Sequence, residues 1–195
     1  MTSRIVSLCC LLLLLWGPST WALTSEQQAL RDFLKQNIDD ASSFEDRFEA
    51  EVWLVDMSTR LRPFLPNVKE RLTILKSVHR HATQMGLPTD MVLALIEVES
   101  RFDRFAVSRA GARGLMQVMP FWKKEIGRPD DNLMDIDTNL RYGCTILKFY
   151  LDKEDGRWLE AMARYNGSYG KYWYPKRVMK AWAKRWSTGE AIALE

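Results

Sequence analysis

The chain has 195 residues, with 28 Lys and Arg against 25 Asp and Glu, a net charge of +3 and 47% hydrophobic residues. That length holds one well-buried domain and is short for two. The charge decides little, and no nucleic-acid-binding motif is present, so a nucleic-acid partner is not expected.

Arg4, the apolar run from Ile5 to Trp16, the Gly17-Pro18 break and small residues up to Ala22 read as a secretory signal peptide over residues 1–22. Thr20 and Ala22 form the recognition pair for cleavage, and the run is short for a membrane span. Trp21 makes the cleavage region imperfect, which leaves an uncleaved anchor as the alternative. Cys9 and Cys10 lie inside the run without the small residues that precede a lipid-modified cysteine. Removing the segment takes away Arg4 and leaves a charge of +2 and one cysteine, Cys144, so no intramolecular disulfide can form despite an oxidising destination.

Residues 23–66 read as an acidic helical arm. Ser25 with Gln28 resembles a capping box opening a short helix to Asn37, and Ser43 with Asp46 opens a second. The apolar side of that second helix is expected to be Phe44, Phe48, Val52 and Val55, and the helix should stop before Pro63. The stretch 62–67, with Pro63 and Pro66, is the best internal boundary. Beyond it Asn67 and Glu70 cap a helix carrying Leu72, Leu75, Val78, Ala82 and Met85, ended by Gly86-Leu87-Pro88. His79 and His81 sit two residues apart on it and face different ways, so no metal site is expected.

Thr89 starts the next helix, which delivers Glu99. Counting back from Glu99 at helical spacing meets Ile96, Leu95 and Val92, so this carboxylate lies in line with the buried stripe. Desolvation disfavours its charged form and should raise its pKa towards what a general acid needs near neutral pH. The pattern alone fits equally a core-edge acid tied to a backbone or hydroxyl group. Glu97 is the contrast, with Arg101 four residues on as an ordinary ion-pair partner.

Asp135 to Leu151 is a long helix with Ile136, Leu140, Cys144, Leu147 and Leu151 inward, which makes Cys144 a small buried hydrophobe. Gly143 in its middle costs about 1 kcal/mol against alanine, which close approach of another helix would justify. Trp158 to Asn166 is the next helix, closed by Gly167, and Pro175 fits the first turn of a last helix to Trp186. Residues 187–195 are a tail. From Ala161 to Gly189 there are seven Lys and Arg and no acid, which suits an anionic polymer or membrane surface as well as it suits a solvated helix face.

The stretch from Leu93 to Pro120 resembles the signature of the family-one lytic transglycosylases, the SLT-type domain related in fold to goose-type lysozyme. The matching pieces are Glu99-Ser100, Phe102, Ala106-Val107-Ser108, Gly111-Ala112, Gly114-Leu115-Met116-Gln117 and Met119-Pro120, with Tyr165-Asn166 in the downstream AMARYNG segment. The resemblance covers residues 70 to 180. It implies an all-α, lysozyme-like domain over residues 67–186, preceded by the short helical arm. It also implies an enzyme that cleaves peptidoglycan between N-acetylmuramic acid and N-acetylglucosamine without water. A single glutamate, here Glu99, would act first as acid and then as base, leaving anhydromuramyl ends.

The same resemblance implies substrate-binding roles for Ser100, Ser108, Met116, Gln117, Tyr165 and Asn166, with the tyrosine hydroxyl reaching towards the acid. The alternative readings are helix-end and turn hydrogen bonding for Ser100 and Ser108, evenly weighted for Ser108, packing for Met116 and a helix cap for Asn166. Among Tyr165, Tyr169, Tyr172, Trp173 and Tyr174, one or two are expected to touch glycan. Asp103 lies four residues beyond Glu99, where the chain should already have turned, and is not expected to be a nucleophile.

Arg104, Gly167 and Phe121-Trp122 depart from the family pattern, and none of them removes a catalytic group. No cofactor is implied. The expected setting is secreted across the inner membrane to the periplasm, as a monomer on glycan strands, with room for peripheral contact with envelope or other cell-wall proteins. The rival readings are a goose-type lysozyme, which would need a second carboxylate, and a catalytically idle peptidoglycan-binding protein.

Overall fold

A computed structural model describes residues 47–189. The expected signal peptide, the expected helix opened by Ser25, Phe44 and the expected Ser43–Asp46 cap fall on residues outside the described ones. Within them the chain is all helical, in line with the expected class. The helices are α1 (Arg47–Leu61), α2 (Val68–Gln84), α3 (Thr89–Glu99), α4 (Trp122–Ile126), α5 (Ile136–Lys153), α6 (Trp158–Tyr165) and α7 (Trp173–Ala181), followed by a π-helical turn, Trp182–Trp186. Extended pairing among the described residues is limited to isolated bridges, Val107 to Arg113 and Arg113 to Val118.

Several boundaries follow from local chemistry. The Asn67 side chain accepts from the Glu70 amide at the start of α2, and the Asp135 side chain accepts from the Thr138 amide at the start of α5. Gly86, at φ +63°, lets the chain leave α2 in the left-handed conformation that a side chain disfavours. α3 is the core helix: every residue from Asp90 to Ile96 is buried. α2, α7 and the π-helical turn pack around it, while α5 and α6 pack as a pair beside them.

α1 joins this core, although it precedes the proline-marked boundary. Leu54, Met57 and Leu61 are fully or almost fully buried, and the Arg71 guanidinium donates to the Leu65 and Pro66 carbonyls and to the Ser58 hydroxyl. The expected inward face of this helix is corrected. Val55 is buried, but Phe48 is 76% and Val52 44% exposed. The face that packs is Ala50, Leu54, Met57 and Leu61, at spacings of four, three and four, because contact with α2 selects a continuous stripe over the largest side chains.

Gly143 is corrected in its partner. A Cβ there would overlap the Met116 side chain, so what approaches α5 closely is the 114–117 turn and not a helix. The histidines diverge as expected: His81 pairs with Asp137, whereas the His79 ring stands edge-on to Trp53. Cys144 is fully buried and its thiol is pushed up to about 12 by desolvation.

Candidate active site

Glu99 is the last residue of α3 and is half-buried. The chain then turns sharply, with Arg101 (φ 53°) and Phe102 (φ 67°) both in the left-handed region. Such backbone costs on the order of 1 kcal/mol or more per residue. Burial offsets it: Phe102 is fully enclosed between Phe64 and Trp186, with ring centroids 5.3 and 5.4 Å away. The Ser100 hydroxyl donates to the Ile96 carbonyl and accepts from the Phe102 amide, so it braces the same turn. Asp103 points away from Glu99's role altogether, accepting from the Phe105 amide at an exposed position.

This turn also removes the expected Glu97–Arg101 pair. Arg101 lies beyond the helix, exposed over the Phe64 ring, and Glu97 instead accepts from Trp186 Nε1 at 2.7 Å and Arg185 Nε at 3.1 Å. Glu97 therefore anchors the end of the chain to α3. Asp90 does the same at the other end of α3, accepting from Trp182 Nε1 at 2.7 Å.

The Glu99 carboxyl group has one direct side-chain partner among the described residues. The Tyr174 hydroxyl donates to its Oε1 at 2.5 Å. Burial raises the Glu99 pKa to about 7, against smaller opposing effects of the Tyr174 hydrogen bond and the positive charge of Arg177. Burial and the nearby Glu99 charge also push the phenols of Tyr165 and Tyr174 well above their ordinary value, which keeps them neutral donors.

The Glu99 charge acts on the Tyr165 phenol, but that hydroxyl is not the one bonded to the acid. The Tyr165 hydroxyl donates to the Met116 carbonyl at 2.7 Å, and the tyrosine bonded to the acid is Tyr174, from α7. One signal for Tyr174 was available. It heads the buried stripe Tyr174, Val178, Ala181 of the last helix, and a buried phenol must find a polar partner.

Residues 106–118 form a tight loop, pinned internally by the bridges of Arg113 and facing Tyr165 through the Met116 carbonyl. Ser108 accepts from the Ala112 amide through its hydroxyl, and Gly111 (φ +87°) turns the chain. Asn139 of α5, 1% exposed, is the hub that sequence reasoning missed. Its Oδ1 accepts from the Met116 amide, and its Nδ2 donates to the Arg113 and Leu133 carbonyls, all at 2.8 Å. The signal was a lone amide among Ile136, Leu140 and Gly143 on an otherwise apolar face. Gly114 (φ +73°) is required because a Cβ would overlap Asn139 and the Leu133 carbonyl.

Met116 is fully buried against Gly143, so it offers the site its carbonyl rather than its side chain. Gln117 holds a left-handed φ of 50° and donates through Nε2 to the Ala106 and Gly114 carbonyls, leaving Oε1 without a partner among the described residues. Asn166 caps α6 with φ −81°, while Gly167 takes the left-handed position at φ +74°. The Asn166 side chain is exposed and carries no hydrogen bond among the described residues. Among the described residues no group of three or more His, Cys, Asp or Glu is arranged to hold a metal ion.

The basic end of the chain is partly neutralised. Arg164 pairs with the buried Glu154 and Arg185 with Glu97, while Lys176, Arg177 and Lys180 stand exposed on α7. Phe121 and Trp122, where the family pattern has small residues, form an aromatic cluster with Tyr150 and Phe149 of α5.

Known proteins resemble part of this sequence. A lytic murein transglycosylase F, membrane-bound, from Desulfosudis oleivorans is 35% identical over 116 residues, which cover 57% of this chain and 23% of the relative. A membrane-bound lytic murein transglycosylase C from Haemophilus ducreyi is 32% identical over 109 residues, covering 49% of this chain and 27% of the relative. Among solved structures, an inactive mutant of the lytic transglycosylase Slt from Pseudomonas aeruginosa aligns at 29% identity with a TM-score of 0.43, over 60% of this chain and 19% of that one. The chain thus spans about a quarter of the length of the curated relatives it matches. The family profile described as "Transglycosylase SLT domain" matches residues 76–185, more than half of the chain, and the protein belongs to that family.

Proposed function

We propose that the protein is a peptidoglycan lytic transglycosylase of the cell envelope, in which Glu99 protonates the glycosidic oxygen between N-acetylmuramic acid and N-acetylglucosamine. The observation that carries this reading is the Glu99 carboxyl group itself, desolvated at the end of an apolar helix, held by Tyr174 and poised at about 7. A group with that pKa is available near neutrality in both forms, which one residue serving as acid and then base requires.

The proton passes from Glu99 to the leaving oxygen as the bond from the muramyl anomeric carbon to that oxygen breaks. The carboxylate left behind then takes the proton of the same sugar's primary hydroxyl, whose oxygen closes on the anomeric carbon. The product is an anhydromuramyl end, with no water consumed. Tyr174 fixes the direction of the carboxyl group, and its O–H favours the carboxylate that forms in the first step.

Gln117 Oε1, the Asn166 amide and the hydroxyls of Ser100 and Ser108 supply polar contacts to the sugars. Tyr165 and Met116 hold the wall of the cleft through their mutual hydrogen bond. The relatives named membrane-bound lytic murein transglycosylases support an envelope setting, and the leader-like residues 1–22 support export.

The test is release of soluble glycan from purified sacculi. Glu99→Gln keeps the shape and removes the proton, and should lower the rate by about 10²–10⁴ while sacculus binding persists. Release undiminished in the variant would rule Glu99 out.

A further inference from the structure

One charged residue at the site is left without a task. Arg177 lies one helical turn beyond Tyr174 on α7, at the i+3 position that flanks the tyrosine bonded to Glu99. It is exposed, and no carboxylate, carbonyl or ring takes its guanidinium among the described residues. The neighbouring arginines are different: Arg164 is held by Glu154 and Tyr169, and Arg185 by Glu97 and Phe64. The charge of Arg177 nevertheless acts on Glu99, as its place one turn from Tyr174 allows.

An unpaired guanidinium there has no structural purpose for α7, whose hold on the core comes from Tyr174, Val178 and Ala181. It works against an acid that must stay protonated, since a positive charge favours the carboxylate. Its planar fork matches a carboxylate in two-point contact. Lys176 and Lys180, exposed on the same helix, extend the positive field, and no acid of α7 opposes them.

On the reading that the substrate is peptidoglycan, the sugar cut at Glu99 is a muramic acid, and its lactyl group carries a short peptide with free carboxylates. We infer that Arg177 binds a carboxylate of this stem peptide, so that the enzyme selects peptide-bearing glycan over bare glycan. Arg177 is then a specificity residue for the same site. A stem carboxylate on Arg177 also neutralises the charge that opposes protonation of Glu99, so that binding of the correct substrate favours the acid form.

The experiment compares two substrates with the full-length protein: sacculi carrying their stem peptides, and the glycan from the same sacculi after an amidase has removed the peptides. The quantity read is the ratio of kcat/KM on the two, in which any change of Glu99 acidity common to both substrates cancels. Wild type should prefer peptide-bearing glycan, and Arg177→Ala should lower that ratio by about tenfold, the worth of one charge-assisted contact. Arg177→Lys should recover part of the ratio. Lys184→Ala, which removes an exposed charge elsewhere at the basic end, should leave it in place.

Equal losses on both substrates in Arg177→Ala, or an equal fall of the ratio in Lys184→Ala, would overturn the assignment while leaving the transglycosylase reading intact. Absence of anhydromuramyl product from wild type on both substrates would overturn both.

Discussion

Glu99 is a carboxylic acid whose environment, more than its chemistry, sets its behaviour. Folded, it holds its proton up to about pH 7; unfolded, it would lose it near 4.5. Between those values the folded state binds a proton that the unfolded state does not, so stability falls as pH rises through this window and the full cost is present above it. Glu99→Gln removes the titration. The variant should therefore be more stable than wild type above about pH 7, by roughly 3 kcal/mol at most, with the difference closing towards pH 4. Denaturant unfolding across that range checks this, and a stability gap independent of pH would contradict it.

Tyr174 acts on the same equilibrium with the opposite sign. Its hydroxyl favours the carboxylate, so Tyr174→Phe should raise the Glu99 pKa above about 7 and move the alkaline fall of activity to higher pH. A limb that stays in place or moves down would show that the bond does not govern the acid. Local pattern marks Tyr174 as a buried phenol in need of a polar partner, but not that the partner is Glu99, 75 residues away. The acid itself could be read, because its apolar neighbours Val92, Leu95 and Ile96 are sequential.

Among the elements, helix starts and ends were the most legible, since Asn67, Asp135, Gly86 and Gly167 act through their own backbone neighbours. Contacts between elements were less so. Gly143 signalled a close approach, but only the fold shows that the 114–117 turn makes it, with Asn139 holding that turn from the same helix. Gly143→Ala should push Met116 away and loosen its carbonyl from Tyr165. Overpacking of this kind costs typically 1–3 kcal/mol, partly offset by the better helix propensity of alanine. Thermal unfolding should show a lowered midpoint together with reduced activity; a raised midpoint would mean that the turn yields freely. The inner face of α1 misled for a related reason, as Phe48 and Val52 are larger than Ala50 but lie on the side away from α2.

For the whole molecule, α3 gathers both ends of the described chain around the acid. α1 reaches the C-terminal turn through Arg60, which donates to the Arg185 and Ser187 carbonyls, and that turn returns to α3 through Trp182 on Asp90 and Trp186 on Glu97. Glu99 sits at the end of a helix braced along its length, which keeps the carboxyl group in one direction while both its protonation states are used. The central claim concerns the reaction that this acid performs, and the mass of the chain ends released from purified sacculi tests it most directly. The account predicts anhydromuramyl ends from wild type and none from Glu99→Gln. Ends heavier by one water would contradict it, because they would require a positioned water and a second carboxylate in place of the muramyl hydroxyl.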